Sequence, residues 1–251
     1  MKKTSLKKML IITYALIALI VAAVVSGVAI YYIRSSTDMA YSNYEDAMNQ
    51  GYNTEIKSEV QSSIAVIEYY YNRFKAGELT EEQAKTEAKE AVRKMRYRDD
   101  NSGYMWIDAS DYSLVMHPIL PQNEGQNRYT LQDQNGVMII QEIMKTANNG
   151  GGYNQFYFTK ADGVTVALKV AYSQKFEPWG WIVTTGNYVD DMEAEMSEVK
   201  GQIRDNFSSM VMMILIIAVI LLIVAIIISY IESENIIVKP LKQIQQMAAR
   251  I

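Results

Sequence analysis

Two apolar runs bracket this chain, with a polar stretch between them. Residues 9–33 and 210–230 are each long enough to cross a hydrocarbon core, which takes about 20 helical residues. Neither run contains a carboxylate, amine or guanidinium, groups that cost about 2.5–3.5 kcal/mol each at mid-membrane. The first run could instead be a cleaved secretory signal, with Val25-Ser26-Gly27 as small residues for cleavage. A signal core is typically 7–15 residues, however, and this run is far longer, which favours an uncleaved anchor. The second run is apolar on every face, unlike the helix of a half-exposed soluble protein. Residues 34–207 are then tethered to one side of a membrane at both ends. A domain held this way can report on one compartment to another.

Charge sets the orientation. Lys2, Lys3, Lys7 and Lys8 precede the first run and place residues 1–8 in the cytoplasm. Lys239, Lys242 and Arg250 follow the second span, on the same side. Residues 34–207 hold 17 basic and 26 acidic residues, a net of −9, whereas the flanks hold 7 basic and 2 acidic. An acidic outer domain argues against nucleic acid as a partner. It leaves room for a small anion, because a local cluster of donors outweighs distant screened charge.

The outer segment is large enough for its own core. With no cysteine there are no disulfides, thiolate chemistry or cysteine metal sites. A single histidine excludes a multi-histidine zinc centre and leaves one candidate base for serine–histidine chemistry. No GxSxG, GxxxxGK[ST] or HExxH motif occurs. The expectation is a chain that is not an enzyme, with no metal and no cofactor.

Tyr44, Met48, Tyr52, Ile56, Val60, Ile64, Ile67, Tyr71 and Phe74 recur at three- and four-residue intervals, which predicts a long helix over 35–74. Lys75-Ala76-Gly77 breaks it. Thr80 and Gln83 have capping-box spacing and open a second helix ending near Arg96-Tyr97-Arg98. The period then changes to two. Residues 104–108 and 114–117 read as a hairpin, and Asp133-Gln134-Asn135-Gly136 reads as the start of a helix that Gly150-Gly151-Gly152 stops. Three strands follow, at 154–158, 164–172 and 179–186, the first two joined by an Asp162-Gly163 hairpin turn. A helix from Tyr188 enters the second span. Two transmembrane helices thus flank an α+β domain with a five-stranded antiparallel sheet backed by the long N-terminal helix. Strand order does not follow from pattern.

GYMWID (103–108), VMHPILP (115–121), DQNG (133–136), LKVAYSQKF (168–176) and WGWIVTTGNYVDD (179–191) occur in this order. Together they resemble the type 2 single Cache domain, a PAS-like extracytoplasmic sensor module of bacterial methyl-accepting chemotaxis receptors and sensor kinases. The resemblance covers residues 64–192. Ile237-Val238-Lys239-Pro240-Leu241, with Ile244, Met247 and Ile251, resembles the opening of a HAMP linker, although Pro-Leu suits any juxtamembrane helix. The implied organisation is a cytoplasmic tail (1–8), a first span (9–33), an extracytoplasmic sensor domain (34–207), a second span (208–231) and the start of a HAMP linker (232–251), truncated before an output module. The resemblance implies a homodimer in the bacterial inner membrane that binds a small organic acid of the acetate, propionate, pyruvate or lactate class and signals to cytoplasmic partners. A kinase or cyclic-dinucleotide enzyme could share this input region, and a ligand-independent scaffold is a further alternative.

His117 precedes Pro118; it could merely cap a hairpin end, but in the family this dipeptide borders the ligand pocket. Lys169 interrupts an apolar strand. Alternation puts Thr165, Ala167, Lys169 and Ala171 on one face, either as a solvated edge or as a pocket with room for a carboxylate. The family pattern favours the pocket. Arg96, near the end of the second helix, would bind a carboxylate bidentately, with Arg93 and Arg98 as neighbouring competitors and a salt bridge to Asp99 or Asp100 as the plainer reading. Tyr104 and Trp106 share a strand face, and Tyr157 alternates with Phe156 and Phe158. Such aromatics usually fill cores, but tyrosine hydroxyls can also donate to an acid.

Overall fold

The computed structural model describes residues 6–248. Lys2, Lys3, Arg250 and Ile251 lie outside that range, as do the side chains of Lys7, Ile237, Val238, Leu241 and Lys242. Contacts divide the chain into two units. One runs up to Tyr44 and resumes at Glu198; the other is Glu45–Ser197.

The first unit is helical. Helix α1 (Leu6–Lys75) contains the first apolar run and helix α4 (Val189–Glu232) the second, each long and apolar enough to cross a membrane. Their apolar windows stand exposed, as a lipid-facing surface does. A π-helical turn (Ser233–Val238) follows α4 and leads into α5 (Lys239–Ala248).

The second unit is built on one antiparallel sheet. Its strands are β1 (Trp106–Ala109), β2 (Leu114–Met116), β3 (Gly152–Thr159), β4 (Val166–Phe176) and β5 (Trp181–Tyr188), in the order β2-β1-β5-β4-β3. One face packs on α1 through Ile56, Val60 and Ile67 and on α2 (Glu81–Lys94) through Ala88 and Val92. These meet Met105, Ile107, Tyr172 and Val183 of the sheet side. The other face packs on α3 (Ile139–Asn148), where Ile139, Ile140, Ile143 and Met144 meet Trp106, Phe156, Ala171 and Ile182. The small residues of α2 let it pack closely, and its N-terminus carries the complete Thr80–Gln83 capping box.

The helix expected to begin at Asp133 begins at Ile139 instead. Residues 133–136 form a turn in which the Asp133 carboxylate accepts the N–H groups of Asn135 and Val137, and Gly136 has φ +87°, outside helical space. The other Asp133 oxygen accepts the Tyr157 N–H at 3.0 Å, tying this turn to β3. Helix α2 stops at Lys94, short of the expected Arg96–Arg98, because Met95 is extended and Tyr97 bridges to Gly103. The last strand starts at Trp181, since Glu177–Trp179 is a 3-10 turn closed by left-handed Gly180.

At Gly186 of β5 the sheet has no space for a side chain. A Cβ there would lie 2.4 Å from the Val170 carbonyl oxygen and 2.8 Å from the Ala171 Cα. Substituting Gly186→Ala is expected to destabilise the chain by about 1–3 kcal/mol, an overpacking cost. Gly201→Ala on α4, where nothing lies within 4 Å, is expected to be neutral or slightly stabilising. Urea or thermal unfolding of both variants checks this.

Candidate anion site

The register of β4 decides which side chains meet. Lys169 pairs with Phe156 of β3 and Tyr188 of β5, and directly paired residues share a sheet face. Ala167, Ala171, Gly186 and Trp106 lie on that same face, away from α1. Lys169 is 1% exposed. Its Nζ sits 4.8 Å from the ring centre of Tyr104, 5.1 Å from that of Trp106 and 4.6 Å from that of Tyr188. Its one hydrogen bond among the described residues is a long one to the Tyr104 hydroxyl, 3.4 Å. Among the described residues no carboxylate pairs with it, and burial alone pushes its pKa down to about 7. Three π faces offset part of the desolvation cost of an ammonium, but they do not neutralise it.

His117 packs against the same two rings, its ring centre 5.3 Å from that of Tyr104 and 6.0 Å from that of Trp106, nearly parallel to the indole. Its Nδ1 accepts the backbone N–H groups of Ile119 and Leu120 at 3.2 and 3.1 Å. Burial, followed by the charges of Arg128, Lys169 and Arg93, pushes its pKa down to about 3. The ring is therefore neutral at ordinary pH, with its proton on Nε2 as a donor. It caps the end of the hairpin and also lines a cavity.

That cavity, about 850 Å³, is walled by Tyr104, His117, Arg128 and Phe158 and by residues 159–163 of the β3–β4 turn. A second hollow of about 260 Å³ is walled by Lys169, Tyr104, Arg98, Asn187 and Tyr188. Tyr104 and Lys160–Asp162 belong to both. Lys169 thus lines the smaller hollow and His117 the larger, with Tyr104 walling both.

Arg128 projects into the larger cavity and is held by Asp108, a fully buried carboxylate whose Oδ1 accepts from Arg128 Nε at 3.0 Å and also from Nη2. Burial raises the Asp108 pKa, and Arg128 and the Trp106 indole oppose that rise. Arg128 therefore arrives already paired, whereas Lys169 has no counter-charge among the described residues.

The remaining expected residues lie elsewhere. Arg96 is exposed, and its Nη1 donates to the Arg93 and Met95 carbonyls at the end of α2. Once α2 stops at Lys94 the helical phase is lost, and Arg98, two residues on, lines the hollow with Lys169. Arg98 pairs with Glu55 of α1 at 2.9 Å, whereas Arg93 grips Glu124 at 2.6 and 2.9 Å. Glu124 also accepts the His117 N–H, so this pair fixes the histidine's backbone. Tyr157 is paired with Leu168, which puts it on the α1 face of the sheet, opposite Lys169. Arg128, Asp108 and Tyr188 were not foreseen. Arg128 and Asp108 are twenty residues apart with no pattern linking them, and Tyr188 meets Lys169 only through strand register. Among the described residues no group of three or more His, Asp or Glu could hold a metal ion.

The chain has known relatives. Methyl-accepting chemotaxis protein McpP of Pseudomonas putida is 33% identical over 58% of this chain and 26% of its own length. Methyl-accepting chemotaxis protein CtpM of Pseudomonas aeruginosa is 24% identical over 98% of this chain and 43% of its own. Sensor histidine kinase MctS of Rhizobium johnstonii is 27% identical over 68% of this chain and 36% of its own. The chain therefore spans less than half the length of each of these relatives. Among solved structures, a periplasmic sensor domain of a chemotaxis protein superposes with a TM-score of 0.54 at 29% identity, covering 57% of this chain and 98% of the neighbour. Another, described as "Structural basis for carboxylic acid recognition by a Cache chemosensory domain", superposes with a TM-score of 0.54 at 28% identity, covering 57% and 97%. Residues 48–202 match the family described as "Single Cache domain 2", and the chain belongs to that family.

Proposed function

We propose that this chain is the sensing and membrane portion of a chemoreceptor whose Cache domain binds a small organic acid of the acetate, propionate, pyruvate or lactate class. One observation carries the reading: a fully buried ammonium, Lys169, faces three aromatic rings with no carboxylate among the described residues to pair it. A bound carboxylate supplies the missing charge, and a neutral His117 and the Tyr104 hydroxyl are available as donors nearby. One solved neighbour is described as a Cache domain that recognises carboxylic acids, in support. In this reading residues 9–33 and 208–231 span the membrane, 34–207 is extracytoplasmic, 232–251 begins a HAMP linker, and two copies pair in parallel. Occupancy biases α4, which runs from the end of β5 into the second apolar run. The ligand shifts that equilibrium only by its differential affinity for the two states. The kinase relative favours a second reading, in which the same sensor drives a kinase.

A four-heavy-atom acid at a ceiling of about −1.5 kcal/mol per atom reaches roughly −6 kcal/mol, or tens of micromolar at best. Propionate has five heavy atoms and pyruvate and lactate six, so the same ceiling is roughly −7.5 and −9 kcal/mol for them. Calorimetric titration of the full chain in nanodiscs is expected to show one of the four acids binding no tighter than its ceiling. Absence of heat with all four contradicts the proposal. Lys169→Met is expected to weaken binding by about 30-fold or more, the cost of losing one partner of a buried charge pair. The same variant is expected to melt higher than the wild type without ligand, because the buried unpaired charge is gone. The lysine pKa is depressed on folding, so its destabilising effect is complete below pH 7 and fades as pH rises toward about 10.4. The stability gap between variant and wild type should close across that window. Acid binding requires the ammonium form, so wild-type affinity is expected to be flat just below pH 7 and to fall about tenfold per unit above it. Buffer-dependent calorimetric heats report the accompanying proton uptake.

A further inference from the structure

The β3–β4 turn carries a second ammonium to one of the three rings around Lys169. Lys160 Nζ lies 5.2 Å from the ring centre of Tyr188, the ring that Lys169 Nζ approaches to 4.6 Å. Lys160 lines both hollows, and its side chain is 18% exposed. Unlike Lys169 it is paired, and twice: Asp190 Oδ2 and Asp191 Oδ1 each stand 2.7 Å from its Nζ. Both aspartates lie in the first turn of α4, where negative charge suits the positive end of the helix dipole. Their side chains are half-exposed, at 50% and 56%, so water can solvate them if the lysine leaves. The Tyr188 hydroxyl donates to the Thr159 carbonyl at 2.9 Å, a second tie between this turn and the end of β5.

We propose that Lys160 is a second cation of the anion site, held in reserve by Asp190 and Asp191, and that an incoming carboxylate takes it from them. This rests on the acid-binding reading above and adds its means of transmission. The exchange satisfies the ligand with two ammonium groups around Tyr188. It also detaches the hairpin turn from the first turn of α4, the helix that contains the second apolar run. No bond is made or broken beyond hydrogen bonds and ion pairs, and water solvates both aspartate side chains. A pair that served only to hold the fold would help the ligand through both partners alike. A competing pair has opposite signs on its two sides.

The test is a calorimetric titration of the full chain in nanodiscs with propionate, or with whichever of the four acids the wild type binds. Lys160→Gln is expected to weaken binding by about tenfold, as for loss of a charge partner. Asp190→Asn combined with Asp191→Asn is expected to tighten it by about threefold, the worth of a partly exposed ion pair. In the Lys160→Gln background the aspartate changes are expected to do nothing, and Lys160→Arg is expected to restore near wild-type affinity. Thermal melts of each variant establish that it is folded. Aspartate variants that weaken binding or leave it unchanged overturn the exchange. So does tightening that persists without Lys160, which is general electrostatics. If the wild type binds none of the acids, the site itself falls and the exchange with it.

Discussion

A single buried amine with no counter-charge among the described residues, that of Lys169, is the constraint on which the site depends. An ammonium taken out of water costs several kcal/mol unless something replaces its hydration, and folding alone offers it only ring faces and one long hydrogen bond. The fold tolerates the charge because the rest of the sheet is well packed. Phe156, Ala171 and Ile182 are sealed against α3, and Ile107 and Val183 are sealed against the long helix. Natural binding sites often carry such a cost, since the energy withheld in the empty state is released when the ligand arrives.

The surrounding polar groups are arranged so that no other charge competes. Asp108 is committed to Arg128 through its Oδ1. Glu124 is taken by Arg93 and the His117 N–H, and Glu55 by Arg98 and Asn187. His117 is kept neutral by burial and by the positive groups near it, so it offers a donor without adding charge. Asp162, which lines both hollows, accepts from the Val164 N–H and from the N–H and hydroxyl of Thr165, and Asp190 and Asp191 are turned to Lys160 at the turn. The geometry leaves one positive centre exposed only to what enters the hollow.

Much of this was legible from local pattern. The capping box at Thr80, the break at Gly77, the Asp162-Gly163 turn and the glycine stop at 150–152 are short-range signals and stand where expected. Alternation through Ala167, Lys169 and Ala171 placed the lysine among small residues on one face. What could not be read is whatever depends on pairing distant segments. Strand order, the Asp108–Arg128 pair and the meeting of Tyr188 with Lys169 all come from register, which no local window contains. Tyr157 illustrates the same limit: alternation separates it from Phe156, and only the pairing of Phe156 with Lys169 says which face is which. The sequence around Arg93, Arg96 and Arg98 misled for a related reason, since an early helix end rotates each guanidinium to a different partner. Asp133 misled differently. Its carboxylate can cap a helix or close a turn, and Gly136 at positive φ selects the turn.

The most direct measurement is the titration of Lys169 itself, followed by NMR of isotope-labelled lysine Nζ and Cε in the full chain, with Lys169→Met identifying the signal. The account predicts a midpoint near 7 in the empty protein and a marked rise once propionate or a related acid is bound. A midpoint at the ordinary lysine value of about 10.4, unmoved by any of the acids, contradicts it.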